Sequence, residues 1–188
     1  MTRSLLPVLL LGTVMLAGCA TPLLPGCSRL GRNGQVCLLP PSALPAMDAV
    51  HLVSVTREGQ TDAFMGQLHI DADALHLAGS SLFGTGLFTL SYDGARVTVQ
   101  PDEQQFPAEK LVVMLELALL PPDELRPRLH DLELVVSETA AGEVRDVSER
   151  GHLIVHIVRG GGPLAEAPLQ MDVPPLKLSV KMTATSTP

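Results

Sequence analysis

The sequence predicts an α+β protein that is mostly β: a curved antiparallel sheet with a central helical insertion that covers the concave face. Short segments of alternating apolar and polar residues recur after residue 47, and turn-forming residues separate them. Asp93-Gly94 stands between two such segments. A single apolar run, from Leu111 to Leu120, has the length of a helix rather than a strand. Strands that need cover and a helix that can supply it therefore predict one packed domain.

The strands are predicted from their period of two. The segment LKLSVKM, residues 176–182, alternates almost ideally, so one face of its strand should be apolar and the other polar. The connections between neighbouring segments are short, which favours antiparallel pairing. The predicted strands are 50–56, 62–70, 75–79, 87–92, 132–137, 144–149, 153–158, 169–173 and 176–182.

The clearest turn lies in LSYDGARVTV, residues 90–99. Asp93-Gly94 separates two alternating runs, and this pair is a strong hairpin signal because both central residues of the favoured two-residue turn take positive φ. A tight hairpin is therefore predicted at this point.

The segment KLVVMLELALLPP, residues 110–122, predicts a buried helix. Pro107 suits the start of the helix, and Pro121 with Pro122 would end it. Spanning a bilayer takes about 20 apolar residues, so a membrane crossing is not predicted. Glu116 is the one charge inside the run, and we expect it to lie towards the rim of the sheet. The residues that follow, DELRPRL, can form a second short helix.

The same helix supplies the predicted ligand-binding residues. A trough that admits an apolar helix can also admit a lipid, so the side chains facing the sheet are predicted to line the ligand site. They are Leu111, Val112, Met114, Leu115, Ala118 and Leu119.

The amino terminus has the layout of a secretory signal: Arg3, an apolar stretch, and then small residues. Leu16-Ala17-Gly18-Cys19 resembles the lipobox of bacterial lipoproteins, which predicts that residues 1–18 are a signal peptide and that Cys19 is lipidated. The alternative is an ordinary secretory signal with an accidental cysteine. Ala20 follows the cysteine where an aspartate would retain a lipoprotein in the inner membrane, so we expect an outer-membrane anchor with the domain facing the periplasm.

Proline content divides the remaining chain. Residues 19–46 carry five prolines among leucines and glycines and are predicted to be a lipidated tether. Residues 47–184 form the predicted domain, and residues 185–188 should fray. With Cys19 assigned to lipid, Cys27 and Cys37 are left to form a disulfide in an oxidising compartment, or to be two free thiols.

Several kinds of chemistry are excluded or disfavoured. A formal charge of −7, no Trp and one Tyr supply neither the cations nor the stacking surfaces that nucleic-acid binding needs. No short motif places a nucleophile beside a base, so neither an enzyme nor a cofactor is predicted. His69 and His76 could approach each other across a turn, with Asp71 and Asp73 nearby, but a polar hairpin tip is the simpler interpretation and no metal site is predicted.

The order of these features resembles a family of proteobacterial lipoproteins found with aryl polyene and fatty-acid-synthase-like gene clusters. That family is similar in architecture to the outer-membrane lipoprotein receptor LolB and to the LolA/LolB superfamily. The residues that carry the resemblance are LAGCA, SSLFGTGLFTLSYDG and FPAEKLVVMLELALLPPDELRPRL. The helix of that family tends to run into a tryptophan before its proline, and this chain contains no Trp.

The resemblance implies a half-open β-barrel that handles a hydrophobic molecule at the outer membrane. LolB accepts lipoproteins from a soluble carrier and inserts them with an exposed apolar loop, and the nearest candidate for such a loop here is Ser80 to Gly84, with Leu82 and Phe83 at its centre. A Leu-Phe pair is more often buried, so both placements stay open. The expected ligand is a lipid, the acyl chains of a lipoprotein or an aryl polyene lipid, with a LolA-like carrier as a possible partner. The alternative is an accessory envelope lipoprotein that has no cavity and acts through a protein partner.

Overall fold

The computed structural model describes residues 23–101 and 108–185. The predicted signal peptide, Cys19, Pro107 and residues 186–188 lie outside the described residues. Two α-helices are described, α1 (Ala108–Leu119) and α2 (Pro122–Leu125). Three short 3-10 turns are Pro41–Ala43, Arg126–Arg128 and Pro174–Leu176. The strands of the described residues are β1 (Cys27–Arg29), β2 (Gln35–Cys37), β3 (Met47–Arg57), β4 (Gln60–Ile70), β5 (Leu75–Ser80), β6 (Gly86–Tyr92), β7 (Val97–Gln100), β8 (Leu129–His130), β9 (Glu133–Thr139), β10 (Gly142–Glu149), β11 (His152–Arg159), β12 (Leu169–Val173) and β13 (Leu178–Ala184).

Ten of these strands form one curved antiparallel sheet in the order β7-β6-β5-β4-β3-β13-β12-β11-β10-β9. Its end strands, β7 and β9, do not pair with each other in the part of the chain that the structure describes, so the sheet stays open. A second, three-stranded sheet has the order β1-β2-β8. The predicted class, α+β and mostly β with a curved antiparallel sheet, is confirmed.

Alternation along the strands places the core. Every second residue is buried along β5 and β12. The apolar ones, Leu75, Leu77, Leu169, Met171 and Val173, belong to one core cluster that also includes residues of α1. A strand puts successive side chains on opposite faces, so this pattern turns one face of the sheet to the core and the other to solvent. Each of the nine predicted strand segments coincides with or overlaps a strand of the large sheet.

The hairpin at Asp93-Gly94 forms, but its turn is not the predicted two-residue type. Tyr92 pairs with Val97, which leaves a four-residue loop between β6 and β7. Gly94 takes the predicted positive φ of 88°, whereas Asp93 does not. Its carboxylate instead accepts the backbone N–H groups of Ala95 (2.9 Å) and Arg96 (2.7 Å). An aspartate side chain that closes the turn in this way removes the need for a second left-handed residue.

The prediction of a tether over residues 19–46 is wrong for residues 27–44. Leu30, Val36, Leu39 and Leu44 are buried members of the main core cluster, because the segment folds back as the β1–β2 hairpin and packs on the domain. The carboxylate of Glu149, at the end of β10, accepts the backbone N–H groups of residues 32 (2.8 Å), 33 (2.6 Å) and 34 (3.1 Å) in the hairpin turn. These three bonds lower the pKa of Glu149 and fix the turn to the sheet.

Within the described residues, no helix has both the length and the apolar character needed to cross a membrane.

Candidate ligand-binding surface

The predicted ligand-binding side chains of α1 lie inside the packed core. Leu111 is partly buried, and the other five are buried members of the core cluster. The two surface cavities described below are not lined by any residue of α1. These side chains fill the trough of the sheet, and their role in ligand binding stays a prediction. They are Leu111, Val112, Met114, Leu115, Ala118 and Leu119.

Two buried charges hold α1 in place. Arg145 of β10 is 1% exposed, and its Nη1 donates to the carbonyl oxygens of Leu117 (2.7 Å) and Leu120 (2.6 Å) at the end of the helix. The last carbonyls of a helix have no partner within the helix, and a cation there is also favoured by the helix dipole. Its Nε donates to Glu143 at 2.7 Å.

Glu116 is also buried, at 1% exposure, so its predicted place at the rim is wrong. Its Oε1 accepts the backbone N–H of Leu39 at 3.0 Å, which binds the amino-terminal segment to the helix. Desolvation raises the pKa of Glu116 to about 7, although the Leu39 bond and the charge of Arg128 oppose the rise. The one charged side chain within the apolar run therefore faces the folded chain rather than solvent.

Among the described residues, the turn between β5 and β6 carries the most exposed large apolar side chain, that of Phe83. The backbone N–H of Ser81 donates to the carbonyl of Thr85 at 2.7 Å, and the N–H of Gly84 donates to the carbonyl of Ser81 at 2.9 Å. Gly84 takes a φ of 85°, a conformation that favours glycine. These two backbone bonds close the turn without involving its two large side chains.

Those two side chains, Leu82 and Phe83, are 59% and 97% exposed. We call this pair the apolar tip. Of the two placements considered for it from the sequence, burial is wrong. Burying a Phe or Leu side chain is worth roughly 1.5–3 kcal/mol, so the domain forgoes stabilisation that a more apolar environment could supply. An exposed apolar pair at a fixed turn is a feature of surfaces that bind a partner or a lipid.

A cavity of about 590 Å³ lies beside the apolar tip. Gly84 from the turn lines it, together with Gly79 and Ser80 of β5 and Leu87 and Phe88 of β6. Leu87 is itself 46% exposed. Four of the lining residues are glycine or alanine: Ala78, Gly79, Gly84 and Gly86. Its volume falls within the range of ligand sites, which generally measure about 300–1,000 Å³.

A second cavity, of about 980 Å³, adjoins the first through Gln67 and Ala78, which line both. The pairing register explains why they meet: Val50 pairs with Gln67, Gln67 with Ala78, and Ala78 with Thr89, so one row of outward side chains crosses β3 to β6. We call the two cavities together the outer groove. Its shared residues Gln67 and Ala78 project from the face of the sheet opposite the core-facing residues Leu68 and Leu77, and Leu68 also lines the larger cavity.

His69 organises the far end of the outer groove. Its Nδ1 lies 2.5 Å from Asp48 and its Nε2 lies 3.3 Å from Asp71, and its ring stacks on His76 with centroids 6.3 Å apart. The hydrogen bond to Asp48, followed by that to Asp71, raises the pKa of His69. Both ring nitrogens are thus engaged by carboxylates, which agrees with a polar hairpin tip.

The structure joins Cys27 to Cys37 by a disulfide that links β1 to β2. Of the two alternatives considered for these cysteines, the folded chain adopts the bridge. Closing a loop of about ten residues stabilises a fold by roughly 2–3 kcal/mol in the chain-entropy model, and this bridge secures a segment that would otherwise be held by its leucines and by Glu149.

Fold and surface together define an open antiparallel β-sheet protein with a filled concave face, an exposed apolar tip and a groove on its outer face. The chain belongs to the family described as protein of unknown function (DUF3261), whose model matches residues 48–183. That range coincides almost fully with the ten-stranded sheet and its helix, and it leaves out the disulfide-linked hairpin. No curated protein matches the chain. The resemblance to LolB stays a prediction.

The outer groove could not be found from the sequence. Alternation does mark Gln67 and Ala78 as outward-facing, because their neighbours Leu68 and Leu77 are apolar. It does not tell which outward residues surround a hollow, since that depends on the twist of the sheet and on the 160–168 loop, whose Ala165 and Glu166 line the larger cavity. The one sequence feature that pointed to this region is the cluster of small residues around the LFGTG turn, several of which line the smaller cavity.

Proposed function

We propose that this protein is an outer-membrane lipoprotein, anchored through Cys19 and facing the periplasm, that binds or transfers a hydrophobic ligand. The ligand class is a lipid, the acyl chains of a lipoprotein or an aryl polyene lipid. The observation that carries the proposal is the apolar tip, Leu82 and Phe83, exposed beside a cavity of about 590 Å³. A soluble LolA-like carrier is the partner expected to deliver the ligand.

The apolar tip and the outer groove have different proposed roles: the tip contacts the bilayer or an acyl chain, and the groove holds the ligand. The tip offers two apolar side chains that gain free energy on entering a bilayer or on contacting an acyl chain. The cavity beside it shares Gln67 and Ala78 with the larger one, and in this proposal an extended chain that enters at the tip lies along both. No reaction is proposed, because neither the tip nor the groove places a nucleophile beside a base.

The filled trough favours a second candidate function. Val112, Leu117 and Ala118 of α1 are fully buried. The helix therefore occupies the space on the concave face of the sheet that a ligand would need. In this alternative the protein is an accessory envelope lipoprotein, and the apolar tip is a contact for another protein. Mass spectrometry of lipids that co-purify with the anchor-free variant Cys19→Ala separates the two: the carrier yields a defined lipid, and the accessory protein yields none.

Replacing both Leu82 and Phe83 by serine is expected to reduce the lipid recovered with the Cys19→Ala chain at least tenfold. Both side chains are exposed, so the free energy of unfolding should change by less than about 0.5 kcal/mol. The measurement is lipid per mole of protein by mass spectrometry, together with urea unfolding to verify the fold.

Val135→Ser provides the matched control, since Val135 is 59% exposed on the edge strand β9 and belongs to neither cavity. It should leave lipid recovery unchanged. Equal recovery from the tip variant and the wild type would contradict the role assigned to the tip.

Cys19→Ala is expected to move the protein from the membrane fraction to the soluble fraction while its thermal unfolding stays that of the wild type. Stable anchoring takes more than one acyl chain or signal, and the thiol is the attachment point, so its loss should remove the anchor outright. Fractionation followed by immunoblotting measures this. A variant that still sediments with membranes after a high-salt wash would show that the anchor has been assigned to the wrong residue.

A further inference from the structure

The small β1-β2-β8 sheet, which is separate from the ten-stranded sheet, brings together three side chains of types that bind metal ions: Cys27, Cys37 and His130. Cys27 pairs with Cys37 across β1 and β2, and His130 on β8 pairs with Gln35, two residues before Cys37 on β2. Residues two apart on a strand share a face, so His130 lies diagonally across from Cys37. One donor atom from each residue lies within 4.8 Å of the other two.

This donor set suits a zinc-type ion once the disulfide is opened. Zinc sites use Cys sulfur at about 2.3 Å and His nitrogen at about 2.0–2.1 Å, and sites with two Cys, one His and an open fourth position are known. Tetrahedral geometry with those bond lengths separates donor atoms by about 3.5–3.8 Å. The two sulfurs, now bonded to each other, would move apart to that distance once the bridge opens, and both already lie within 4.8 Å of a ring nitrogen of His130. Cys37 is half-buried and His130 is exposed, so reductant and ion can both approach.

We propose that Cys27, Cys37 and His130 form a redox-controlled site for Zn²⁺ or a metal ion of similar softness. A dithiol reductant opens the bridge: its two thiols become a disulfide, and Cys27 and Cys37 gain the two electrons and two protons as free thiols. Binding of the ion then displaces the two thiol protons, leaving two thiolate ligands and the neutral ring of His130, with the fourth position open. The oxidised protein cannot bind in this way, because its sulfurs are bonded to each other. The site is independent of the lipid-binding role proposed above.

The test uses the full chain in detergent, reduced anaerobically with dithiothreitol, freed of reductant by gel filtration and incubated with ZnCl₂. Bound zinc, measured by mass spectrometry after a second gel filtration, is expected at about one equivalent per chain, against less than a tenth in the oxidised protein. His130→Ala should weaken the affinity at least tenfold, and Cys37→Ser should abolish binding. Co²⁺ in place of Zn²⁺ should give the visible absorption of thiolate-bound cobalt.

Two matched variants guard against other sources of binding. His152→Ala removes an exposed histidine at the start of β11, and Cys19→Ala removes the third cysteine of the chain; both should bind as the wild type does. The circular dichroism of the reduced chain shows whether the fold persists. The proposal is overturned if the reduced chain takes up no zinc, if it unfolds and binds equally well without His130, or if either matched variant loses the metal.

Discussion

Replacing Arg145 by methionine is expected to lower the free energy of unfolding by about 3–5 kcal/mol, the range found when one partner of a buried charged network is removed. Methionine fills much of the space but donates no hydrogen bond. The carbonyls of Leu117 and Leu120 would then be buried without the Nη1 group that now serves both, and each such group costs about 1–3 kcal/mol. Urea unfolding followed by far-ultraviolet circular dichroism measures the loss.

Arg126→Met is the matched control for Arg145→Met. Arg126 also donates to a carboxylate, that of Asp123 at 2.5 Å, but both side chains of this pair are largely exposed. Exposed ion pairs contribute about 0–1 kcal/mol, so the control should unfold close to the wild type. If the two variants lost the same free energy of unfolding, the contribution of Arg145 to stability would not depend on its burial. Glu143 keeps Arg159 at 2.9 Å in the Arg145 variant, so the carboxylate itself is not orphaned.

Replacing Glu116 by glutamine is expected to stabilise the protein at pH 8 by on the order of 3 kcal/mol and to have little effect at pH 5. Burial raises the pKa of Glu116 to about 7, so above that pH the folded chain must hold an unfavourable buried carboxylate. Glutamine has nearly the same shape and keeps an oxygen that can accept the Leu39 N–H.

The sign follows from the protons bound in each state. With a folded pKa of about 7 and an ordinary value of 4.5, the folded chain binds more protons than the unfolded chain between these pH values. The favourable contribution of Glu116 is therefore fully present below pH 4.5 and is lost as the pH rises through 7. The difference between variant and wild type should open over that window, as measured by urea unfolding at a series of pH values.

Glu109→Gln, an exposed change on the same helix, should follow the wild type at every pH. A Glu116→Gln curve parallel to the wild type would mean that the carboxylate is not desolvated in the folded state. Burial raises the pKa of Tyr92 to about 12, and the nearby carboxyl of Glu116 adds to the rise.

The two buried charges bear on function as well as on stability. Arg145 fixes the end of α1 to β10, and Glu116 fixes its middle to the amino-terminal segment. A helix held at both places is a poor candidate for a lid that swings aside to admit a ligand. This is why the proposed ligand path runs along the outer groove from the apolar tip, on the face that α1 does not cover.

Local patterns sufficed for most of the fold. Alternation located the nine strand segments, and Pro121 with Pro122 located the end of α1, because burial on one face of a strand and proline at a helix end act over a few residues. The fold class followed from the order of these elements. The turn at Asp93 shows the limit, since a side-chain hydrogen bond replaced the backbone conformation that the dipeptide alone indicates.

By itself, the sequence determined nine strand segments of the large sheet, where the long helix lies and that the sheet has one apolar face. Only the tertiary structure decided that residues 27–44 join the core, that Glu116 and Arg145 are buried, and that Leu82 and Phe83 are exposed. The physical reason is that desolvation and hydrogen-bond partners come from residues far apart in the chain: Leu39 and Glu116 are 77 positions apart, and Arg145 lies 25 beyond Leu120. Periodicity carries no information at such distances.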